Sequence, residues 1–248
     1  MLRLLCVTAH PDDESAGFGG SLLQANERGI ETFVICLTPG QAATHRGETS
    51  SDDDLITIRR KEFAAACKHL GVTEGRVLDF PDGKLDREIF FDVAGELTRL
   101  IRKLRPHVVL TFGPEGGLTA HPDHSMASLF TTAAFQWAAR SNRYADQFYE
   151  GLKPWQPHKL YYATAEFNIE ERQPVSLAPI TTAVDVTKYF ERKIEAFKLH
   201  QSQAPLFELF ESQLRPRGPR EYFHLAACRT PREFEQIETD LWDGVEDV

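Results

Sequence analysis

The chain predicts an α/β fold: a mainly parallel sheet with helices on both faces, plus a smaller C-terminal α/β extension. Three observations predict it. Short, nearly unbroken apolar runs recur as far as Phe112, as strands buried on both faces require. Amphipathic stretches closed by Gly or Pro alternate with those runs, which favours right-handed crossovers between parallel neighbours. Finally, 248 residues with 42% hydrophobic content suffice for one core.

Leu2 to Thr8 reads as a buried strand, Phe18 to Arg28 as a helix ended by Gly29, and Glu31 to Thr38 as a second strand. That is a βαβ unit. The acidic segment Ser50 to Asp54 suits a helix cap, followed by a helix from Leu55 to Leu70 stopped by Gly71, and then by a strand from Arg76 to Phe80. A helix over Asp86 to Leu104 places Phe90, Val93, Ala94, Leu97, Leu100 and Ile101 on one face, with Pro106 just beyond. Val108 to Phe112 supplies the fourth strand. Beyond Ser141 the pattern weakens to short strands at Lys159 to Ala163 and Thr182 to Val186 and a helix at Lys188 to Gln201. Residues 1–229 are expected to form one domain, and residues 230–248 an acidic tail, either a peripheral helix or disordered.

Lysine plus arginine number 28 against 37 aspartate plus glutamate, and the formal charge of −9 disfavours nucleic acid or anionic lipid as partners. A small molecule is expected instead. No run approaches the ~20 apolar residues of a transmembrane helix. Met1-Leu2-Arg3 leads into strand one without a signal-peptide core, so a cytoplasmic location is expected. The dispersed Cys6, Cys36, Cys67 and Cys228 read as free thiols.

His10-Pro11-Asp12-Asp13, then Glu14, follows strand one, and His121-Pro122-Asp123-His124 follows strand four after a Gly-rich loop. One such motif alone reads more readily as a turn with an Asx-type cap. Two at matching strand ends point to a metal site. In a sheet ordered 3-2-1-4-5, strands one and four are neighbours at the switch point, and the motifs meet there. Catalytic zinc takes three His or carboxylate ligands and leaves one position open. His10, Asp13 and His124 fill that count. Asp12 is then free to take a proton from the water such an ion activates, and His121 to stabilise an oxyanion or protonate a leaving nitrogen. Asp123 is expected to orient and charge His121. Gly17-Phe18-Gly19-Gly20 lacks the full dinucleotide pattern and reads as a close-packing device.

These residues resemble the PIG-L / LmbE-like family of zinc-dependent deacetylases. Arg46-Gly47, Arg59-x-x-Glu62, Leu70-Gly71-Val72, Pro81-Asp82-Gly83, Pro106 and Lys198-x-His200-x-Ser202-Gln203 extend the likeness over most of the chain. The resemblance implies a Rossmann-like hydrolase with one zinc ion per chain, removing an acetyl group from an N-acylated amino sugar or glycoconjugate. It carries over His10, Asp13 and His124 as ligands, Asp12 as base and His121 as oxyanion stabiliser. Arg59 and Asp82 align with substrate-touching positions in some members. Their other reading is a surface ion pair and a Pro-Asp-Gly turn. Some relatives carry a tyrosine shortly before the second motif, where this chain has Leu118-Thr119-Ala120. Relatives form hexamers or smaller assemblies, so a homo-oligomer stays open. The alternatives are an amidase of thiol-sugar conjugates, a non-catalytic sugar- or nucleotide-binding module, and a two-metal phosphodiesterase.

Overall fold

The computed structural model describes residues 1–169, 173–231 and 236–247. In chain order the elements are β1 (Arg3–Thr8), α1 (Asp13–Glu27), β2 (Glu31–Cys36), α2 (Asp52–Leu70), β3 (Glu74–Val77), α3 (Phe90–Leu104) and β4 (Val108–Phe112). They continue as α4 (Pro122–Trp137), α5 (Asp146–Tyr149), β5 (Lys159–Thr164), β6 (Thr182–Asp185), α6 (Phe190–Lys198), α7 (Phe207–Leu214) and β7 (Arg220–Cys228). One sheet runs β3-β2-β1-β4-β5-β7-β6. Its first five strands are parallel, and β7 lies antiparallel between β5 and β6. The expected α/β class and the order 3-2-1-4-5 are therefore present.

β1, β2 and β4 are buried almost throughout, because helices cover both faces. α1, α2 and α6 pack together, and α3 packs on α4. Right-handed crossovers put these two layers on opposite faces, since the chain moves outward from β1 through β3 and then returns past it to β4 and β5. Gly20 lets α1 approach its neighbours: a Cβ there meets Val186 at 2.6 Å. Close approach is thus the use of Gly20, and to a lesser degree of Gly19, while Gly17 faces open space.

Several boundaries differ from expectation, each for a local reason. α1 starts at Asp13 rather than Phe18, so the motif itself supplies the first helical turn. α2 begins at Asp52 because Ser51 caps it, accepting from the Asp54 amide at 3.1 Å. Only a short 3₁₀ turn, Leu85–Arg87, precedes α3. α4 beyond its first turn, α7 and β7 carry no assignment in the sequence reading. β7 shows the buried/half-buried alternation of a strand, with Glu221, Phe223 and Leu225 inward.

The tail over 236–247 is neither helical nor detached; residues 232–235 and 248 lie outside the described residues. Glu238 bridges to Thr182, and its carboxylate meets Lys159 Nζ at 3.0 Å and the Tyr161 hydroxyl at 2.8 Å. Leu241 and Trp242 join the core. A buried lysine must be paired, and the acid that pairs it comes from the tail.

Candidate metal centre

The site grows from two strand ends that pairing places side by side, with Leu4, Leu5 and Cys6 of β1 opposite Val108, Val109 and Leu110 of β4. Both strands lead into helix N-termini, α1 at Asp13 and α4 at Pro122. Unsatisfied amides and the positive end of the dipole gather there. His121 is the N-cap of α4: its Nδ1 accepts from the Asp123 amide at 3.1 Å, and Pro122 takes the first helical position, where no N–H is needed. The preceding loop turns sharply at Gly116, with φ +91 and room for no Cβ against the His121 carbonyl.

His10, Asp13 and His124 converge. His10 Nδ1 lies 3.3 Å from His124 Nε2 and 3.5 Å from Asp13 Oδ2, while Asp13 Oδ1 lies 3.2 Å from His124 Nε2. Tetrahedral zinc with ligands at ~2.0–2.1 Å needs donors ~3.3–3.4 Å apart, so the spacing fits. The chemistry fits as well. Two imidazole nitrogens and a carboxylate face one point in a region that also gathers Asp12, Asp82 and Asp123, with Arg59 the adjacent guanidinium. A cation answers that excess of lone pairs and negative charge. His10, His121 and His124 also offer nitrogens within 4.8 Å of one another, as do His10, Asp82 and Asp123 their own donor atoms.

The outer contacts set how each ligand points. His10 Nε2 faces Asp82 Oδ1 at 3.1 Å and Asp123 Oδ2 at 3.3 Å. Donating there leaves the Nδ1 lone pair for a metal. Asp123 also accepts from the amides of Gly83 at 2.7 Å and Leu85 at 3.1 Å, and Asp82 accepts from Ala42 at 2.7 Å. Here one expectation is corrected: the Asp123 carboxylate turns to His10, and His121 receives only the Asp123 backbone N–H. The reason is the cap, which commits His121 Nδ1 as an acceptor, and a carboxylate has no proton to give it. His124 stacks on Phe112 with centroids 4.0 Å apart, and its Nδ1 meets Thr119 Oγ1 at 3.4 Å. Thr119 belongs to the Leu118-Thr119-Ala120 stretch before the second motif, and Phe112 ends β4.

Asp13 receives the Ala9 and His10 amides at 3.2 and 2.7 Å, and its carboxyl is held well below the usual range: His124 and His10 outweigh burial. Asp12 is different. Burial pushes it up to about 6, against the opposing pull of Arg59, while Asp13 raises it further. His121 is pushed down to about 4, by burial first and then by His10 and His124. It is therefore neutral at pH 7, and with Nδ1 accepting, its proton sits on Nε2.

Asp12 occupies φ 126°, a conformation that costs a non-glycine residue ~1–3 kcal/mol and persists only when surroundings enforce it. Arg59 helps to enforce it. At 2% exposure it contacts Asp12 Oδ2 at 3.1 Å, the Gly40 carbonyl at 2.9 Å and the Pro11 carbonyl. So Arg59 is not half of a surface ion pair, and the charged side chains that Arg59 and Asp82 meet are Asp12 and His10, respectively. Glu14 and His200 complete the surroundings of Asp12. Glu14 closes the first motif and His200 sits in the Lys198-x-His200-x-Ser202-Gln203 pattern, two sequence signals that say nothing of each other.

A mainly parallel α/β sheet with a His/Asp cluster suited to a metal ion at its switch point is the framework of a hydrolase. The chain belongs to the PIG-L family: the family model described as GlcNAc-PI de-N-acetylase matches residues 5–135. It is 31% identical over 216 residues to diacetylchitobiose deacetylase of Thermococcus kodakarensis, covering 86% of this chain and 75% of that one. To mycothiol S-conjugate amidase of Streptomyces coelicolor it is 30% identical over 239 residues, covering 86% and 80%. The structure of N,N'-diacetylchitobiose deacetylase from Pyrococcus horikoshii superposes with a TM-score of 0.77 at 25% identity, covering 90% of this chain and 83% of that one. Among the described residues, no helix is long and apolar enough to cross a membrane.

Proposed function

We propose that the protein is a zinc-dependent N-deacetylase of an N-acetylated amino sugar or glycoconjugate. One observation carries this reading: the mutual 3.2–3.5 Å spacing of donors on His10, Asp13 and His124, with Asp12 and His121 beside them. His10 Nδ1, Asp13 and His124 Nε2 would hold the ion. When bound, zinc supplies Lewis acidity and a water nucleophile at neutral pH.

The remaining chemistry belongs to the chain. Asp12, kept ionisable near neutrality and fixed by Arg59, takes the proton of the attacking water. His121 donates from Nε2 to the oxygen that gains charge, helped by the N-terminus of α4. Asp12 then returns its proton to the departing nitrogen. Asp82 and Asp123 act through His10, and a direct role for Asp82 at the sugar is the part of this reading that rests on the family resemblance alone.

Residues 1–229 with the packed segment 236–247 are read as one domain. The amidase alternative keeps a specific support, the likeness to the conjugate amidase, and uses the same centre on a bulkier leaving group. Acetate release from a panel of N-acetylated sugars and glycosides, run beside a thiol-sugar conjugate and with metal-depleted protein as control, separates the two. Inertness of zinc-loaded protein on every amide favours the binding-module reading, and two ions per chain the phosphodiesterase reading.

A further inference from the structure

His200 lies just beyond α6, 186 residues from Glu14 in sequence, yet both side chains are fully buried and in contact. His200 Nε2 meets Glu14 Oε1 at 2.8 Å. Its other nitrogen, Nδ1, is buried and has no hydrogen-bond partner among the described residues. The imidazole therefore has one polar task, and that task is Glu14. A buried unpaired nitrogen is costly to keep, which argues against His200 being filler.

Glu14 passes the constraint on. Its Oε1 also accepts from Ser15 Oγ at 2.6 Å, and its Oε2 accepts from the Asp12 amide at 3.0 Å. That amide belongs to the residue at φ 126°. The His200 end is anchored independently: the Ser202 amide and hydroxyl both donate to the Glu62 carboxylate of α2 at 2.7 Å, and Gln203 Nε2 donates to the His45 carbonyl at 3.0 Å. Asp12 is thus gripped from two sides, Arg59 on its carboxylate and Glu14 on its amide.

We propose that His200 is a positioning residue, which fixes Glu14 so that Glu14 holds the Asp12 backbone in its strained conformation and aims the carboxylate. This rests on the reading of Asp12 as the base. Hydrogen bonds to a buried carboxylate from an imidazole and an amide are strong and directional enough for the purpose.

The test compares His200→Leu, which keeps the volume and removes the donor, with His200→Gln, which keeps a donor near the Nε2 position. Both are assayed as the zinc-loaded full chain on the N-acetyl sugar panel. The expected result for His200→Leu is a fall in kcat of ~10- to 100-fold, the scale of a small misplacement of a catalytic group, with KM and zinc content held. His200→Gln recovers most of that loss. A His200→Leu protein with wild-type kcat, or an equal loss in both variants, overturns the proposal. Should His200→Leu fail to fold, the isosteric Glu14→Gln carries the test: a kcat-only loss supports the role, and unchanged kcat ends it. If wild-type protein is inert on the whole panel, the deacetylase reading fails first. Crystal structures of the variants then still decide the local claim, since Asp12 must leave its positive-φ conformation when the grip on its amide is lost.

Discussion

Replacing Asp123 by asparagine separates two roles for this carboxylate, because the structure ties it to His10 where the sequence pattern suggested His121. Its oxygens serve three donors: His10 Nε2 at 3.3 Å and the amides of Gly83 and Leu85 at 2.7 and 3.1 Å. Asparagine keeps one acceptor oxygen and presents an NH₂ in place of the other. If its oxygen takes the shorter Gly83 contact, the new NH₂ faces the Leu85 amide, leaving a buried donor unpaired at a cost of ~1–3 kcal/mol. That oxygen, at the Oδ2 position, also faces His10 Nε2, so the amide keeps the contact and removes its charge; complete loss of such an outer partner typically weakens metal binding ~10- to 100-fold. Asp82 still holds the same His10 nitrogen at 3.1 Å, so the lower end, ~10-fold or ~1.4 kcal/mol, is expected. Zinc affinity by competition with a chromophoric chelator, denaturant unfolding, and kcat at saturating zinc are the assays. Weaker zinc binding with kcat largely restored by excess metal supports the account. Wild-type affinity with a lasting fall in kcat refutes it and returns Asp123 to His121.

Three further outcomes follow from the same contacts. Asp12→Asn should lower kcat ~100- to 1000-fold while zinc remains bound, whereas His10→Ala should lose both metal and turnover; elemental analysis alongside acetate release distinguishes them. His107 is buried with Nε2 unpartnered among the described residues, and its pKa is pushed down to about 4 by burial and then by His158. A histidine depressed in the folded state stabilises above its unfolded value near 6.5 and loses that contribution as pH falls toward 4, by up to ~3 kcal/mol. His107→Asn, which keeps an acceptor for the Arg3 amide, should flatten this part of the stability–pH curve; an unchanged slope contradicts the assignment. Gly20→Ala should destabilise by ~1–3 kcal/mol through overlap with Val186, read from denaturant midpoints.

Much of the frame was legible because its signals are local. Two apolar runs followed by His-Pro-Asp tetrads reveal strand ends, and alternation of strands and helices suggests a doubly wound sheet, in whose 3-2-1-4-5 order His10 and His124 meet. The partners of Asp123 could not be anticipated, because they depend on how the α4 cap spends the His121 nitrogen. Glu14 with His200, and Lys159 with Glu238, are buried polar pairs between distant segments, and nothing local to one half names the other. β7 escaped because an antiparallel strand inserted between β5 and β6 breaks the parallel rhythm that makes the rest readable, and the tail because its few apolar residues, Leu241 and Trp242, gain meaning only against a core already built.

The most direct measurement is anomalous diffraction at the zinc edge from crystals of the zinc-loaded protein. The account predicts one peak per chain, within bonding distance of His10 Nδ1, an Asp13 oxygen and His124 Nε2. A peak elsewhere, two peaks in the cluster, or none at full zinc occupancy of the solution contradicts it.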